Sequence, residues 1–137
     1  MESFKSLFFK FLKFGIVGVS GMVVHGGVLY LFKELVGLPP LLANTIGFVV
    51  AASWNYLFNR IWTFASKEKQ VGVEYLKFFL VSLVGLAINN GSLWLFSFLL
   101  PLWKADARFY LLWLAAVAVT TVWNFFGNLL FTFKAKK

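Results

Sequence analysis

The sequence contains no cysteine among its 137 residues, and only five of its residues are acidic. The absence of cysteine excludes disulfides, a thiol nucleophile and cysteine ligands for a metal. Charged residues make up 13% of the chain, whereas soluble domains carry about 25%. Apolar residues make up 61%, more than a small water-soluble domain can bury. The composition therefore predicts a membrane protein, for which lipid acts as the solvent.

The motifs of several enzyme classes are also missing. The sequence has no HExxH, Walker loop, GxSxG or CxxC segment, so nothing in it predicts hydrolysis or redox chemistry. We expect no enzymatic activity, no cofactor and no metal site. The net charge of +8 could attract nucleic acid, but the basic residues stand at the ends of apolar stretches. That distribution is typical of membrane topology and contact with anionic headgroups, and we expect no nucleic-acid partner.

Long charge-free stretches make up most of the sequence. A bilayer core needs roughly 20 apolar residues in a helix, and backbone groups in hydrocarbon must bond within the segment. The sequence predicts an all-α membrane protein with four transmembrane helices near 11–32, 41–62, 77–99 and 109–131, with residues 2–10 as a short interfacial helix or a frayed end. The charge-free stretches, which hold neither Asp nor Glu, are 14–32, 35–59, 78–103 and 109–133.

The distribution of Lys and Arg predicts the orientation. Ten basic residues fall on one side of the predicted spans and three on the other, which places both termini and the 65–76 loop in the cytoplasm. Residues 1–27 lack an obvious small-x-small cleavage site, which favours a retained first span over a signal peptide. The ten are Lys5, Lys10, Lys13, Arg60, Lys67, Lys69, Lys77, Lys134, Lys136 and Lys137, and the three are Lys33, Lys104 and Arg108.

The two halves of the chain resemble each other. At an offset of 64, nine of the 21 positions from 12 to 32 are identical, and at an offset of 69, five of the 11 positions from 54 to 64 are identical. The matches include Lys, Trp and Asn, which biased composition does not explain. We interpret residues 1–137 as one membrane domain built from two helical hairpins, repeat 1 at about 11–64 and repeat 2 at about 75–133. Because both hairpins enter from the same side, they are parallel repeats.

Asparagine recurs in the second and fourth predicted helices. Residues four apart share a helix face, and small residues continue each row, which lets helices approach closely while Asn bonds across the gap. Two interpretations stay open: the rows join the two repeats, or the amides also border a polar cleft. The four amides are Asn55, Asn59, Asn124 and Asn128.

Three basic residues stand at a similar depth near the predicted cytoplasmic ends: Arg60, Lys13 and Lys77. A guanidinium at the headgroup level can bind phosphate bidentately, and ordinary anchoring by snorkelling side chains is the alternative. His25, the only histidine, and its repeat counterpart Asn89 lie inside predicted spans. Intramembrane polar groups are candidates for function, although a hydrogen bond to a neighbouring helix also accounts for them.

The segment Trp54-Asn55-Tyr56-Leu57-Phe58-Asn59-Arg60-Ile61-Trp62-Thr63-Phe64 and its echo from Trp123 to Phe133 resemble the GtrA-like family. The opening of the first helix, Phe11 to Gly18, is similar to that family as well, and the resemblance covers about residues 10–134. It implies that Asn59, Arg60 and Asn128 occupy the polar and basic positions of the family motif. Leu129 stands where family members often carry a second basic residue, which leaves the site asymmetric.

The resemblance implies a function in the cytoplasmic membrane of a prokaryote. Family members are associated with moving a polyprenyl-phosphate-linked monosaccharide to the outer leaflet, for glycosylation of cell-envelope polysaccharide or glycolipid. The expected partners are that lipid-linked sugar, membrane lipids and a membrane glycosyltransferase, and four short helices favour a homo-oligomer, most simply a dimer. The competing interpretations are an adaptor for a glycosyltransferase that does not transport, and a small-molecule exporter, which is least favoured because only His25 could carry its proton.

Overall fold

The computed structural model describes residues 2–99 and 106–134, and every regular element within them is a helix. This confirms the predicted all-α class. Four α-helices follow in order: α1 (Phe4–Tyr30), α2 (Pro40–Phe58), α3 (Val71–Leu99) and α4 (Asp106–Gly127). Five-residue π-helical turns continue three of them, at Leu31–Leu35 after α1, Asn59–Thr63 after α2 and Asn128–Thr132 after α4.

Two helices begin earlier than predicted. The first starts at Phe4 rather than near residue 11, because the Ser3 side chain caps it by accepting a 3.2 Å hydrogen bond from the backbone N–H of Ser6. Residues 4–10 are therefore a continuation of α1 and not a separate interfacial helix. The third starts at Val71 rather than near 77, with Glu74 in its first turn, where a carboxylate favours the positive end of the helix dipole.

Three helical segments within the described residues are long and apolar enough to cross a membrane: Phe4–Leu35, Val71–Phe96 and Ala115–Thr132. The first has 32 residues, about 48 Å of helix at about 1.5 Å per residue, against a hydrocarbon core of roughly 30 Å. These segments make the chain an integral membrane protein. The remaining helix is α2, with 19 residues. Its assignment as a fourth membrane span stays a prediction.

The chain divides into two compact units, one within Met1–Tyr75 and the other Leu76–Lys134. The first contains α1, α2 and the first turn of α3, and the second contains the rest of α3 with α4. The prediction of a single domain with repeats at 11–64 and 75–133 remains a prediction. We call α1–α2 the first hairpin and α3–α4 the second, and the basic end of the first hairpin is the end that carries Lys13 and Arg60.

Each hairpin buries a stripe of residues with helical spacing. In the first unit the stripe on α1 contains Phe14, Val17 and Gly21. The facing stripe on α2 includes Ala43, which is 0% exposed, and Ala51, which is 7% exposed. Small side chains at this spacing let two helices approach closely where lipid supplies no hydrophobic driving force. The large apolar side chains mostly point outward, as expected of a protein whose solvent is lipid.

Candidate functional site

The asparagines in the last turns of α2 and α4 pack against glycines of the neighbouring helix. A Cβ built on Gly21 would lie 2.7 Å from Cγ of Asn55, and one built on Gly85 would lie 2.9 Å from Cγ of Asn124. Only glycine allows an approach this close. Among the described residues, neither Asn55 Oδ1 nor Asn124 Oδ1 has a hydrogen-bond partner, although both oxygens are buried. The same contact therefore occurs in both units, with an unsatisfied acceptor in each.

The asparagines near the ends of α2 and α4 begin the π-helical turns. Asn59 is 1% exposed and Asn128 is 0% exposed. The hydroxyl of Thr63 donates to Asn59 Oδ1 at 2.7 Å, and that of Thr132 donates to Asn128 Oδ1 at 2.8 Å. The backbone N–H after each turn closes it by donating to the carbonyl of the asparagine, at 2.9 and 2.8 Å. Isolated π turns often occur at functional sites, and here they explain why Asn, Thr and Phe recur together.

The amide rows thus contact the other helix of their own hairpin or their own π turn. The sequence left open whether they join the two repeats or border a cleft, and the contacts described are with Gly21, Gly85, Thr63 and Thr132. None of the four amides stands on an open surface of its own unit. Their binding of sugar hydroxyls remains a prediction, and it would require the helices of a hairpin to separate.

Lys13 and Lys77 occupy matching positions over aromatic rings. The Lys13 ammonium lies 5.5 Å from the centroid of the Trp62 ring, and the Lys77 ammonium lies 5.6 Å from that of Phe131. A cation in this position is attracted by the ring quadrupole. Both lysines are half-buried. Among the described residues neither ammonium forms an ion pair, so both positive charges are available to an anion.

Arg60 lies in a different environment, because its guanidinium forms an ion pair with Glu74. Nη1 of Arg60 donates to Glu74 Oε1, and Nη2 donates to the backbone carbonyl of Glu68 at 2.7 Å. The hydroxyl of Tyr56 donates to the same carboxylate at 3.0 Å, and that of Ser66 donates to its Oε2. This polar cluster ties the segment after α2 and the start of α3 to the basic end of the first hairpin.

Burial makes this ion pair costly to break. The side chain of Glu74 is 2% exposed and that of Arg60 is 16% exposed. Removing one partner of such a pair leaves an uncompensated charge in a poorly hydrated site. An arriving phosphate would have to replace Glu74 as the partner of Arg60, whereas Lys13 needs no such exchange. The predicted phosphate contact of Arg60 remains untested, and Lys13 is the better placed cation.

Glu74 corrects one expectation from the sequence. The four predicted spans contained no acidic residue, but α3 begins early enough to include Glu74 within the apolar segment Val71–Phe96. The helical spacing could have indicated that Glu74 belongs to α3: the buried stripe of Gly85, Val81 and Phe78 continues back by four residues to Glu74. Tyr56 and Ser66, which bind the same carboxylate, were also missed: Tyr56 lies in the repeated segment but is not repeated there, and Ser66 lies outside it.

Within the described part of the second half of the chain, the polar cluster has no counterpart. At the offsets that relate the halves, Leu129 corresponds to Arg60, and Lys10 corresponds to Glu74. Lys10 instead pairs with Glu2 near the start of α1. The asymmetry expected from Leu129 therefore extends to both members of the ion pair.

The remaining predicted site residues lie farther along the helices. His25 Nε2 is 3.0 Å from Asn44 Oδ1, a hydrogen bond between α1 and α2. Its ring also packs over Gly47, where an added Cβ would lie 2.7 Å from His25 Cδ2. This is the helix-bridging contact that was one of the two interpretations for His25. Asn89 is half-buried on α3.

An apolar groove runs between the two helices of the first hairpin, with a volume of about 580 Å³. Side chains of α1 form one wall, and side chains of α2 and the following π turn form the other. The Trp54 indole N–H donates across the groove to Ser20 Oγ at 2.9 Å. We call this the α1–α2 groove, and its lining residues are Ile16, Val17, Ser20, Trp54, Phe58, Ile61 and Trp62.

Comparison with known proteins assigns these features to a family. The model of the GtrA/DPMS transmembrane domain matches residues 13–133, which include both hairpins. The chain belongs to this family. The GtrA/DPMS match begins at Lys13 and ends at Phe133, so it includes every predicted site residue from the sequence.

Two relatives are similar to this chain over much of its length. The dolichol-phosphate mannosyltransferase of Pyrococcus furiosus is 34% identical over 91 residues, which are 66% of this chain. The chain covers only 26% of the length of that enzyme. The uncharacterized membrane protein YngA of Bacillus subtilis is 26% identical over 121 residues, which are 88% of this chain and 77% of YngA. Segments similar to this chain therefore occur in proteins of quite different length.

Proposed function

We propose that this protein translocates a polyprenyl-phosphate-linked monosaccharide from the cytoplasmic to the outer leaflet, for glycosylation of cell-envelope polysaccharide or glycolipid. The observation that carries the proposal is the GtrA/DPMS match over both hairpins, a family associated with polyprenyl-phosphate sugars. The matched cations Lys13 and Lys77, each over an aromatic ring, support it because the lipid carries a phosphate.

The proposed topology has four spans with both termini in the cytoplasm. α2 and its π turn cover Pro40–Thr63, which is 24 residues and about 36 Å of helix, enough to cross the hydrocarbon core. The excess of Lys and Arg at the basic end supports a cytoplasmic position for that end. We place the protein in the plasma membrane of a prokaryote.

The chemical task is to lower the cost of moving a sugar and a phosphate through hydrocarbon. Carrying an unpaired charge to the bilayer centre costs several kcal/mol or more. In our proposal Lys13 or Lys77 receives the phosphate, and the unsatisfied oxygens of Asn55 and Asn124 accept hydrogen bonds from sugar hydroxyls when a hairpin opens. Arg60 strengthens phosphate binding by exchanging its bond to Glu74.

The remaining predicted polar groups belong to the later part of the path. Asn59 and Asn128 join the sugar contacts as their π turns loosen, and His25 and Asn89 lie nearer the outer end. The prenyl tail stays in lipid or against apolar side chains throughout. Transport is downhill and uses no cofactor, because one membrane glycosyltransferase makes the lipid-linked sugar inside and another consumes it outside.

The protein in this proposal is not an enzyme, and it works as a homodimer. Many large apolar side chains are exposed along its helices, and some of these can be covered by a second copy. Cross-linking in native membranes followed by mass measurement tests the dimer. A product of twice the mass of one chain is expected, and a product that contains only a glycosyltransferase and one chain would contradict it.

The direct test is transport by purified protein in vesicles that contain a labelled polyprenyl-phosphate sugar. We expect the protein to accelerate exchange of the sugar between leaflets relative to protein-free vesicles. Equal rates would reject translocation. For the site, Arg60→Ala and Lys13→Ala should weaken binding of the lipid-linked sugar far more than Lys5→Ala, and equal effects of all three would reject the proposed contacts.

One observation favours a second candidate function, an adaptor for a glycosyltransferase. The relative from Pyrococcus furiosus is named as a mannosyltransferase, and the part similar to this chain is about a quarter of it. In the adaptor role this chain would recruit or stabilise a separate transferase without moving the lipid. Isolation of the native complex in mild detergent separates the two: the adaptor predicts a stable heteromer with no transport by the protein alone.

A further inference from the structure

The α1–α2 groove has the size and lining of a site for an apolar chain. Its volume of about 580 Å³ falls within the roughly 300–1,000 Å³ of small-molecule sites. Val17, at 3% exposure, forms the floor, and Ile16 and Ile61, each 59% exposed, stand at the two edges. Flat aromatic rings cover much of the second wall.

Internal hydrogen bonds hold this lining in place. The Trp54 indole donates to Ser20 Oγ at 2.9 Å, and the Ser20 hydroxyl donates to the Val17 carbonyl at 2.6 Å. The rings of Trp54 and Phe58 lie 4.5 Å apart between centroids. Because these donors are already satisfied, an apolar occupant deprives them of no hydrogen bond.

The Lys13 ammonium stands at the basic end of the groove. Trp62 belongs to the lining, and the Lys13 ammonium lies 5.5 Å from the centre of its ring. The next lysine on α1, Lys10, is paired with Glu2. An apolar groove that ends at the Lys13 ammonium is complementary to a lipid with one chain and one phosphate.

The corresponding positions of the second hairpin are filled differently. Val84 replaces Ser20 and Gly127 replaces Phe58 at the repeat offsets. Trp123 consequently donates to the Val81 carbonyl at 3.1 Å. A Cβ at Gly127 would lie 2.8 Å from Val81 Cγ1 and 3.8 Å from Trp123 Cε2, so the chain's own side chains pack over this position.

We propose that the α1–α2 groove holds the isoprene units nearest the phosphate of a polyprenyl phosphate, with Lys13 bound to the phosphate itself. This inference rests on the proposed function and assigns the lipid's tail to one hairpin. The planar alkene in each isoprene unit matches the ring faces of Trp54, Phe58 and Trp62. A phospholipid, in contrast, carries two chains on a glycerol and matches one narrow groove less well.

Photocross-linking tests the groove. The probe is a polyprenyl monophosphate with a diazirine on its second isoprene unit, added to the purified full chain in nanodiscs. Mass spectrometry of the digested protein should place most adducts in residues 13–20 and 54–62. An excess of unlabelled polyprenyl phosphate should reduce the adducts at least fivefold, and the same excess of phosphatidylglycerol should not.

Matched variants provide the control. Ile16→Trp and Ile61→Trp fill the groove from its exposed edges and should lower labelling about fivefold or more. Leu80→Trp and Leu130→Trp place the same side chain at the corresponding positions of the second hairpin and should leave labelling unchanged. Exposed positions tolerate a larger side chain, and elution as a single species in size-exclusion chromatography verifies folding.

Three results would overturn the groove assignment: adducts spread evenly over the four helices, equal competition by phosphatidylglycerol, or equal losses in the control variants. These outcomes are separable from failure of the transport proposal. Groove labelling without acceleration of transport retains the tail site and rejects the flippase. Transport without groove labelling retains the flippase and rejects the tail site.

Discussion

Arg60, in the π-helical turn after α2, forms an ion pair with Glu74, in the first turn of α3. The pair fixes the segment between the two helices at the basic end of the first hairpin. It also means that the charge of Arg60, the basic residue of the family motif, is already neutralised by a carboxylate. The phosphate contact we propose therefore depends first on a lysine, Lys13 in the first hairpin or Lys77 in the second.

The buried pair predicts a large loss of stability when one partner is removed. Glu74→Ala should lower the free energy of unfolding by about 3–5 kcal/mol, because Arg60 then keeps a buried charge without a partner. The double variant Arg60→Leu with Glu74→Leu should cost much less than the sum of the single changes. Unfolding in mixed detergent micelles measures the values.

Glu34→Ala is the control for the pair, because Glu34 forms an exposed pair with Lys33, and exposed pairs contribute about 0–1 kcal/mol. Equal losses for Glu34→Ala and Glu74→Ala would show that the Arg60–Glu74 pair contributes nothing beyond a surface contact.

The close approach of helices at Gly21 predicts a position-specific cost for a single methyl group. Gly21→Ala should destabilise the protein by about 1–3 kcal/mol, because the new Cβ collides with Asn55. Gly18→Ala is the control, since no atom lies within 4 Å of its added Cβ, and Ala favours a helix over Gly. The same unfolding titration checks both, and equal midpoints would contradict the packing described.

The π-helical turn predicts a further difference between two identical substitutions. Thr63→Val removes the donor to Asn59 Oδ1 and leaves that buried oxygen unsatisfied, at a cost of about 1–3 kcal/mol. Thr121→Val removes only a bond to a helical carbonyl and should cost less than half as much. Thermal unfolding in detergent compares them, and a larger loss from Thr121→Val would refute this role of Thr63.

The matched lysines predict a charge-dependent affinity. Lys13→Gln and Lys77→Gln should each weaken binding of a polyprenyl phosphate about fivefold, since one lysine near an anionic lipid contributes about 1 kcal/mol. Binding to the protein in nanodiscs, measured at low and high salt, should show a smaller effect at high salt. An equal loss from Lys5→Gln, outside the proposed site, would mean that total charge alone is responsible.

Much of the helical architecture was predictable because it depends on local properties. Charge-free runs of about 20 residues predict helices wherever backbone groups cannot bond to water. The repeat was also visible because Trp, Asn and Lys recur in register. The starts of α1 and α3 were misplaced by about one to two turns. The Ser3 cap lets α1 begin earlier, and the ion pair of Glu74 lets a charged residue lie inside α3.

The side-chain contacts of the candidate site were less predictable. The amide rows were recognised, but their contacts with Gly21 and Gly85 depend on how the helices of each hairpin face each other. The partner of Arg60 lies 14 residues away across a turn whose geometry the repeated motif does not encode. The α1–α2 groove is lined by Phe58, whereas Val81 and Trp123 pack over the equivalent Gly127. This difference follows from how the helices pack and could not be read from the sequence.

Transport in vesicles of defined composition tests the central claim most directly. Purified wild-type protein and the Lys13→Gln and Lys5→Gln variants are reconstituted at equal density with a fluorescent polyprenyl-phosphate sugar, and a membrane-impermeant quencher reports the lipid in the outer leaflet over time. We predict rapid exchange with wild-type protein and with Lys5→Gln, and exchange slowed several-fold with Lys13→Gln. Wild-type vesicles that exchange the lipid no faster than protein-free vesicles would contradict the account.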